Sequence, residues 1–305
     1  MTLTVLVPGE EGRAALAGVG GIEAVPYDPA GVMPEEAGWA EVMVVPPRLA
    51  DRLLAAMGDM PKLRLVQTLS AGIDSWEGRL PAGVALSNAR GAHGGSTSEW
   101  AVAVLLSIFR EIPEFVADQA AHKWRQRMTE TLDGKRVLIL GAGDLGTSLR
   151  RRLEPFGASV TMVARTARAG TRGAAEVPDL LGAQDAVVVL IPYNGETHHL
   201  VDRAFLARMP DGAVLVNAAR GPVVDTGALL DELRAGRLRA ALDVTDPEPL
   251  PPGHPLWDAP GVLITPHVGG ATTGVWERAW AVAARQIEAY VAGREPPNLV
   301  VRPRG

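Results

Sequence analysis

The sequence predicts an α/β protein built on a doubly wound parallel sheet, and three observations predict it. Short apolar runs alternate with Ala- and Leu-rich stretches of helical length, which is the pattern of a parallel sheet covered by helices. A glycine-rich turn, Gly141-Ala-Gly-Asp-Leu-Gly146, closes one such run and opens a helix. Three later runs each end shortly before a chemically capable side chain: Arg220, Glu248 and His267. Open α/β sheets gather their ligands at strand ends of this kind.

The elements follow in order. The first series of strands is expected at Leu3 to Val7, Glu41 to Val45, Leu63 to Leu69 and Val84 to Ser87. The loop Asn88-Ala-Arg-Gly-Ala-His-Gly-Gly leads into a helix expected from Ser96 to Arg110, with Ser96 or Thr97 as its cap and Glu99 in its first turn. A second series is expected at Val137 to Leu140, Ser159 to Val163, Ala186 to Ile191, Ala213 to Val216, Arg239 to Leu242 and Val262 to Ile264. Six strands with helical connections match a dinucleotide-binding sheet. A last helix, Val275 to Ala292, stops at Gly293, and Arg165 to Ala175 reads as a solvated loop.

Bulk composition narrows the function classes. Of the 305 residues, 47% are apolar and 21% charged, a globular composition long enough for two domains. A net charge of -5 gives no electrostatic case for nucleic acid or an anionic membrane surface. There is no cysteine, so disulfides and thiolate metal sites are excluded. The start Met-Thr-Leu-Thr-Val-Leu-Val-Pro reads as a first strand and not a signal peptide, and the longest apolar run, Trp100 to Phe109, is too short for a bilayer. A soluble, cytoplasmic protein is the expectation.

The glycine turn is the candidate cofactor site, with Gly141, Gly143, Asp144, Leu145 and Gly146 as its residues. The first glycine permits the tight turn, the second admits a pyrophosphate, and the third lets helix and strand pack closely. An S-adenosylmethionine site or a structural turn could carry the same pattern alone. The end of the next strand discriminates further. Ala164 stands where an NAD site usually has Asp or Glu, followed by Arg165, Thr166 and, further on, Arg168. Loss of the acid removes repulsion against a 2′-phosphate, and arginine can grip it. The expected cofactor is therefore NADP, led by Arg165 with Arg168 as helper, with NAD the alternative if these are surface arginines. Asp144 is an oddity, an acid near the pyrophosphate position that nonetheless suits a first helical turn.

His267 is the candidate proton donor among six histidines. Glu248 in contact with it would stabilise the imidazolium, and Arg220 offers a fork for a carboxylate while polarising an adjacent carbonyl. Taken singly, a histidine after Thr-Pro is usually structural and an acid among prolines usually solvated. The other histidines carry less: His198 and His199 as exposed neighbours at a helix start, His254 as a turn residue, His122 on a surface helix. No metal site is expected.

These residues resemble the D-isomer-specific 2-hydroxyacid dehydrogenase family over essentially the whole chain. The stretches Asn217 to Asp225, Ala241 to Pro251 and Thr265-Pro-His-Val-Gly-Gly270 look like three of its signatures, in order and spacing. The resemblance implies that Arg220 binds substrate, Glu248 pairs with His267, and His267 is the acid/base. It implies that Asp243 meets the nicotinamide carboxamide and that Ile191, Pro192, Thr97, Ala218, Ala219, His267 and Gly269 belong to the cofactor site. Ala71 and Gly72, in Ser70-Ala-Gly-Ile-Asp74, would give amides to the substrate carboxylate. It further implies a Rossmann cofactor domain, 96–276, inserted into a smaller flavodoxin-like α/β substrate domain, 1–95 plus 277–305, with a cleft that closes and a homodimer.

Two departures stand out: Asp144 replaces a basic or neutral residue, and Arg90 stands where the family often has proline. Arg90 or His93 is expected to face the cleft, or else the loop merely faces solvent. The expected activity is NADPH-dependent reduction of a small 2-oxo acid such as glyoxylate or hydroxypyruvate. The competing class is a nicotinamide-sensing corepressor-like binding protein of the same fold. A methyltransferase would leave the three later motifs unexplained.

Overall fold

The structure, a computed structural model, describes residues 2–302. The chain folds as two compact units, Met1–His93 with Thr273–Gly305, and Gly94–Thr272. The first unit opens with β1 (Leu3–Pro8), α1 (Gly9–Ala15), β2 (Ile22–Tyr27), β3 (Val42–Val45), α2 (Ala50–Met57), β4 (Leu65–Thr68) and β5 (Ala85–Ser87). The second contains α3 (Gly94–Phe109), α4 (Ile112–Ala120), β6 (Arg136–Leu140), α5 (Asp144–Leu153), β7 (Ser159–Ala164), β8 (Arg172–Gly173), α6 (Val177–Leu180) and β9 (Ala186–Val189). It continues through α7 (Arg203–Ala207), β10 (Val214–Asn217), α8 (Thr226–Arg234), β11 (Arg239–Leu242) and β12 (Val262–Ile264). The chain then returns to the first unit with α9 (Val275–Val291) and β13 (Leu299–Val301).

In the second unit the strands form one parallel sheet in the order β12-β11-β10-β9-β6-β7-β8. The order reverses at β6, where a doubly wound sheet changes direction. Both faces are covered, so the central strands read as continuous apolar runs. Period-two alternation divides them. Leu138, Val187 and Leu215 face a core with Phe205, Leu206, Leu229 and Leu233 of α7 and α8. Val137, Ile139, Val188 and Val216 face Ala101, Leu105, Leu149 and Leu153 of α3 and α5.

The first unit repeats this logic in a sheet ordered β13-β5-β4-β3-β1-β2. Without its antiparallel edge strand β13 that is the flavodoxin-like order 2-1-3-4-5. Val5, Val7, Val42 and Val44 pack on Trp280, Ala283 and Ile287 of the returning α9. Leu6, Met43, Val45 and Val66 pack on Leu53 and Met57 of α2. Among the described residues, no helix is long and apolar enough to cross a membrane.

Several sequence expectations shift. β2 and β13 were not anticipated: Pro26 inside β2 reads against a strand, yet β2 is an edge, where proline is tolerated. The helix expected from Ser96 starts at Gly94, so Ser96 and Thr97 lie in its first turn and neither is the cap. The Arg165–Ala175 segment is not only loop, because Arg172–Gly173 pairs with the end of β7. His122 follows α4 in a turn at φ 52°, and His198 and His199 lie in a turn, not at a helix start. The unit boundaries fall after His93 and after Thr272, against the expected spans 1–95 with 277–305 and 96–276, of which 1 and 303–305 lie outside the described residues.

Candidate active site

The C-terminal ends of the second unit's strands carry nearly all the candidate residues. Along that edge the sheet order sets out His267 beyond β12, Asp243 directly after β11 and Arg220 beyond β10. Ile191 and Pro192 follow beyond β9, then the glycine turn beyond β6, and Ala164 to Arg168 at the end of β7. The edge therefore runs from acid–base residues at one side to arginines at the other.

Each glycine of the turn has its own physical reason. Gly141 sits at φ 119°, and a Cβ there would lie 2.6 Å from the Leu190 carbonyl oxygen. At Gly146 a Cβ would lie 1.9 Å from the Gly141 oxygen, so α5 packs on its own entry turn as only glycine allows. Gly143 has nothing within 4 Å of its Cβ position. That open side, with no side-chain cap on α5, leaves first-turn amides including Leu145 directed at approaching anions. A dinucleotide pyrophosphate fits this cradle. Asp144, the acid in the turn, is packed toward the head of α3: a Cβ on Gly94 would meet its Oδ2 at 2.1 Å. That oxygen is buried and unpartnered among protein groups.

At the end of β7, Ala164 is half-buried and Arg165, Thr166 and Arg168 are exposed. Arg168 is tied to the glycine turn: its Nη2 donates to the Ala142 carbonyl at 2.8 Å. Thr171 holds the Arg168 backbone through hydrogen bonds in both directions at 3.2 Å. Of the two arginines, Arg168 is the one whose side chain the fold fixes at the turn.

The expected pair is formed. His267 Nδ1 lies 2.7 Å from Glu248 Oε1, with both side chains partly open to solvent. The bond occupies one ring nitrogen and leaves Nε2 directed elsewhere. His267 is at φ 55°, a left-handed conformation uncommon for a non-glycine residue. Arg220 is half-buried on its own turn, with Nη1 donating to the Ala219 oxygen at 2.7 Å. A Cβ on Gly221 would lie 1.9 Å from the Thr245 oxygen, so the arginine's turn presses against the segment leading to Glu248.

Motif reading missed the residues that hold these turns. Asn217, 1% exposed at the end of β10, accepts from Ala219 N–H at 3.0 Å and donates to the Arg220 oxygen at 3.0 Å. Thr265 donates its hydroxyl to Asp243 Oδ1 at 2.6 Å. Asp243 also accepts from Val268 N–H and Gly269 N–H, each at 2.8 Å. The signal was a polar residue directly after an all-apolar run; the partners lie too far along the chain to be named from sequence. Thr97 is buried in the first turn of α3, Ala219 is buried, and Ala218 and Ile191 are half-buried.

In the first unit, the loop after β4 presents Ala71 and Gly72. Its carbonyls are occupied: Ser70 O by the Thr68 hydroxyl, Ala71 O by Asn88 Nδ2 and Gly72 O by the Ser70 hydroxyl, at 2.7 to 2.9 Å. The Ala71 and Gly72 amides make no hydrogen bond among the described residues. Arg90 is committed elsewhere, donating to Pro297 O and Asn298 Oδ1 at 3.2 Å. His93 Nε2 lies 3.4 Å from Leu69 O. Among the described residues no cluster of three His, Asp or Glu could hold a metal ion.

Comparison with known proteins finds a family model and several relatives. The model of the family described as D-isomer specific 2-hydroxyacid dehydrogenase, NAD binding domain, matches residues 102–269. A D-3-phosphoglycerate dehydrogenase of Mycobacterium leprae is 35% identical over 251 residues, 79% of this chain and 47% of that protein. This chain thus spans about half the length of that relative. A glyoxylate reductase of Thermofilum pendens is 31% identical over 270 residues, covering 83% of this chain and 79% of that protein. An NADPH-dependent glyoxylate/hydroxypyruvate reductase of Sinorhizobium meliloti, solved with NADP and sulfate, aligns with a TM-score of 0.83 at 28% identity, covering 98% of each chain.

Proposed function

The chain belongs to the D-isomer-specific 2-hydroxyacid dehydrogenase family, and from that membership we propose that it reduces a small 2-oxo acid, such as glyoxylate or hydroxypyruvate, with NADPH. The observation that carries the proposal is the 2.7 Å His267–Glu248 pair, on the same sheet edge as Arg220 and the glycine turn. The glycine turn and the first amides of α5 would hold the dinucleotide pyrophosphate, and Arg168 with Arg165 would take the 2′-phosphate. When bound, the reduced nicotinamide supplies the hydride.

The chain's own residues supply the rest. The guanidinium of Arg220 suits a bidentate grip on the substrate carboxylate and polarises the neighbouring carbonyl. With Nδ1 donating to Glu248, the ring delivers its proton from Nε2 to the carbonyl oxygen. Glu248 holds the orientation of the ring through that bond. The unpaired amides of Ala71 and Gly72 in the first unit suit an anion, which supports a carboxylate-binding role for that unit.

NADP in place of NAD is supported by Ala164 where an acid would repel a phosphate, and by Arg168 tied to the turn. The NADP-bound relative from Sinorhizobium meliloti supports the same preference. A homodimer is part of the proposal: α4 buries none of its own residues, and Trp124 and Met128 beyond it are each 97% exposed. Cytoplasmic residence is proposed with it.

The test follows loss of reduced-nicotinamide absorbance with NADPH and NADH in parallel, against glyoxylate, hydroxypyruvate, pyruvate, phenylpyruvate and 2-oxobutyrate. Turnover of glyoxylate or hydroxypyruvate with an NADPH preference is expected. Cofactor binding without turnover of any acid would defeat the reductase reading in favour of a sensor.

A further inference from the structure

We infer that Asp243 is a positioning residue for His267, whose carboxylate fixes the backbone from which the imidazole is presented. The inference rests on the reading of His267 as proton donor and extends it to the group that keeps the donor in place.

Asp243 grips the loop on both sides of the histidine. Before it, the Thr265 hydroxyl donates to Oδ1 at 2.6 Å; after it, Val268 N–H donates to Oδ1 and Gly269 N–H to Oδ2, each at 2.8 Å. The backbone joins in, since His267 N–H donates to the Asp243 carbonyl at 2.8 Å and Asp243 N–H donates to the Asn217 carbonyl at 3.0 Å. The approach is close: a Cβ on Gly269 would lie 2.9 Å from Oδ2 and 3.5 Å from the Trp100 ring.

All three side-chain partners are donors, so an ionised carboxylate serves them and a carboxamide cannot. An asparagine would turn its own N–H₂ toward one of the loop's N–H or O–H groups. Asp243 is 4% exposed, so water cannot replace a lost bond cheaply. The clamp also accounts for φ 55° at His267, which an unconstrained loop would relax. Glu248 and Asp243 therefore govern different freedoms. Glu248 sets the rotation of the ring, and Asp243 sets the position of its Cα. A displacement of about 1 Å at a proton donor can cost on the order of 100-fold in rate.

The experiment uses the full-length protein with Asp243→Asn, Thr265→Val and Thr265→Ser. For D243N, kcat at saturating NADPH with hydroxypyruvate should fall about 100-fold, whereas loss of a nicotinamide contact alone would show in the NADPH Kd from fluorescence titration. Amide hydrogen exchange across 265–269 should quicken. Thr265→Val removes one donor at constant shape and should lower kcat roughly three- to tenfold, with faster exchange in the same loop, and T265S should restore both. If D243N fails to fold, the Thr265 pair decides alone. D243N with intact kcat at saturating cofactor and a weakened NADPH Kd would overturn the inference and leave Asp243 as a cofactor contact. Thr265→Val with wild-type kcat and wild-type exchange would overturn it as well. If the wild-type protein turns over no 2-oxo acid, the reductase reading fails, and exchange at 265–269 in Thr265→Val still judges the clamp.

Discussion

Arg168 shows what one contact adds to a motif. From sequence it is a helper to Arg165; in the fold its guanidinium is tied to the Ala142 carbonyl, while the Arg165 side chain is exposed. Arg168→Ala should therefore cut the NADPH-over-NADH preference in kcat/KM by about tenfold or more, because a charge-assisted pair to a phosphate is lost. Arg165→Ala should cost less, and equal preference in both variants and wild type would show that neither reads the phosphate. Arg220, Glu248 and His267 could be picked out as candidates because each is a chemically capable side chain in a recognisable stretch that follows a strand. Asn217, Thr265 and the clamp made by Asp243 were not, since Asp243 meets Thr265 and Gly269 across 22 and 26 residues of chain. Arg90, expected near the substrate or in solvent, is exposed and donates to Pro297 and Asn298.

Elements were legible where burial makes the run uniform. β6, β9 and β10 are apolar on both faces, so their sequence could hardly be anything but central strands. β2 was hidden because it is half-exposed and contains Pro26, and β13 because it is three residues long and closely follows Pro296 and Pro297. α4 poses the opposite problem. It is a helix without a buried residue, and Ile112, Val116, Trp124 and Met128 on and beyond it are exposed apolar side chains. Such exposed apolar groups suit the proposed dimer contact. Sedimentation at micromolar concentration should give twice the 32.1 kDa chain mass. Trp124→Ala with Met128→Ala should shift it toward monomer, and a wild-type monomer would refute the dimer.

At the scale of the whole second unit, the two ends of the sheet divide the work. The C-terminal edge holds the candidate chemistry, and the N-terminal edge holds ion pairs. Asp185 accepts from Arg136 N–H at 2.8 Å and from its side chain at 3.3 Å, and Glu130 pairs with Lys135 and Arg239 at 2.5 and 2.8 Å. Burial of Asp185 opposes its charge, but the hydrogen bonds from Arg136 outweigh it and hold its carboxyl below the ordinary 3.8. Glu130 is likewise held below 4.5, its burial outweighed by Lys135 and Arg239. As pH falls, the unfolded chain takes these protons first. The stabilisation is thus present above about pH 4 and lost as pH drops through the folded-state values. Asp185→Asn should lower Tm at pH 7, with the gap to wild type closing on titration below pH 4; a gap that stays constant would contradict this. The two-sheet architecture was foreseeable from alternation of apolar runs, whereas this ion-pair edge was not, because it joins strand starts separated by about 50 residues.

The account turns on one proton donor, so the decisive measurement is kcat of His267→Gln with saturating NADPH and hydroxypyruvate or glyoxylate, beside its cofactor Kd. Loss of a positioned acid should lower kcat by about 10²- to 10⁴-fold even at saturating NADPH. A kcat within a few-fold of wild type would contradict the account and take the chemistry away from the His267–Glu248 pair.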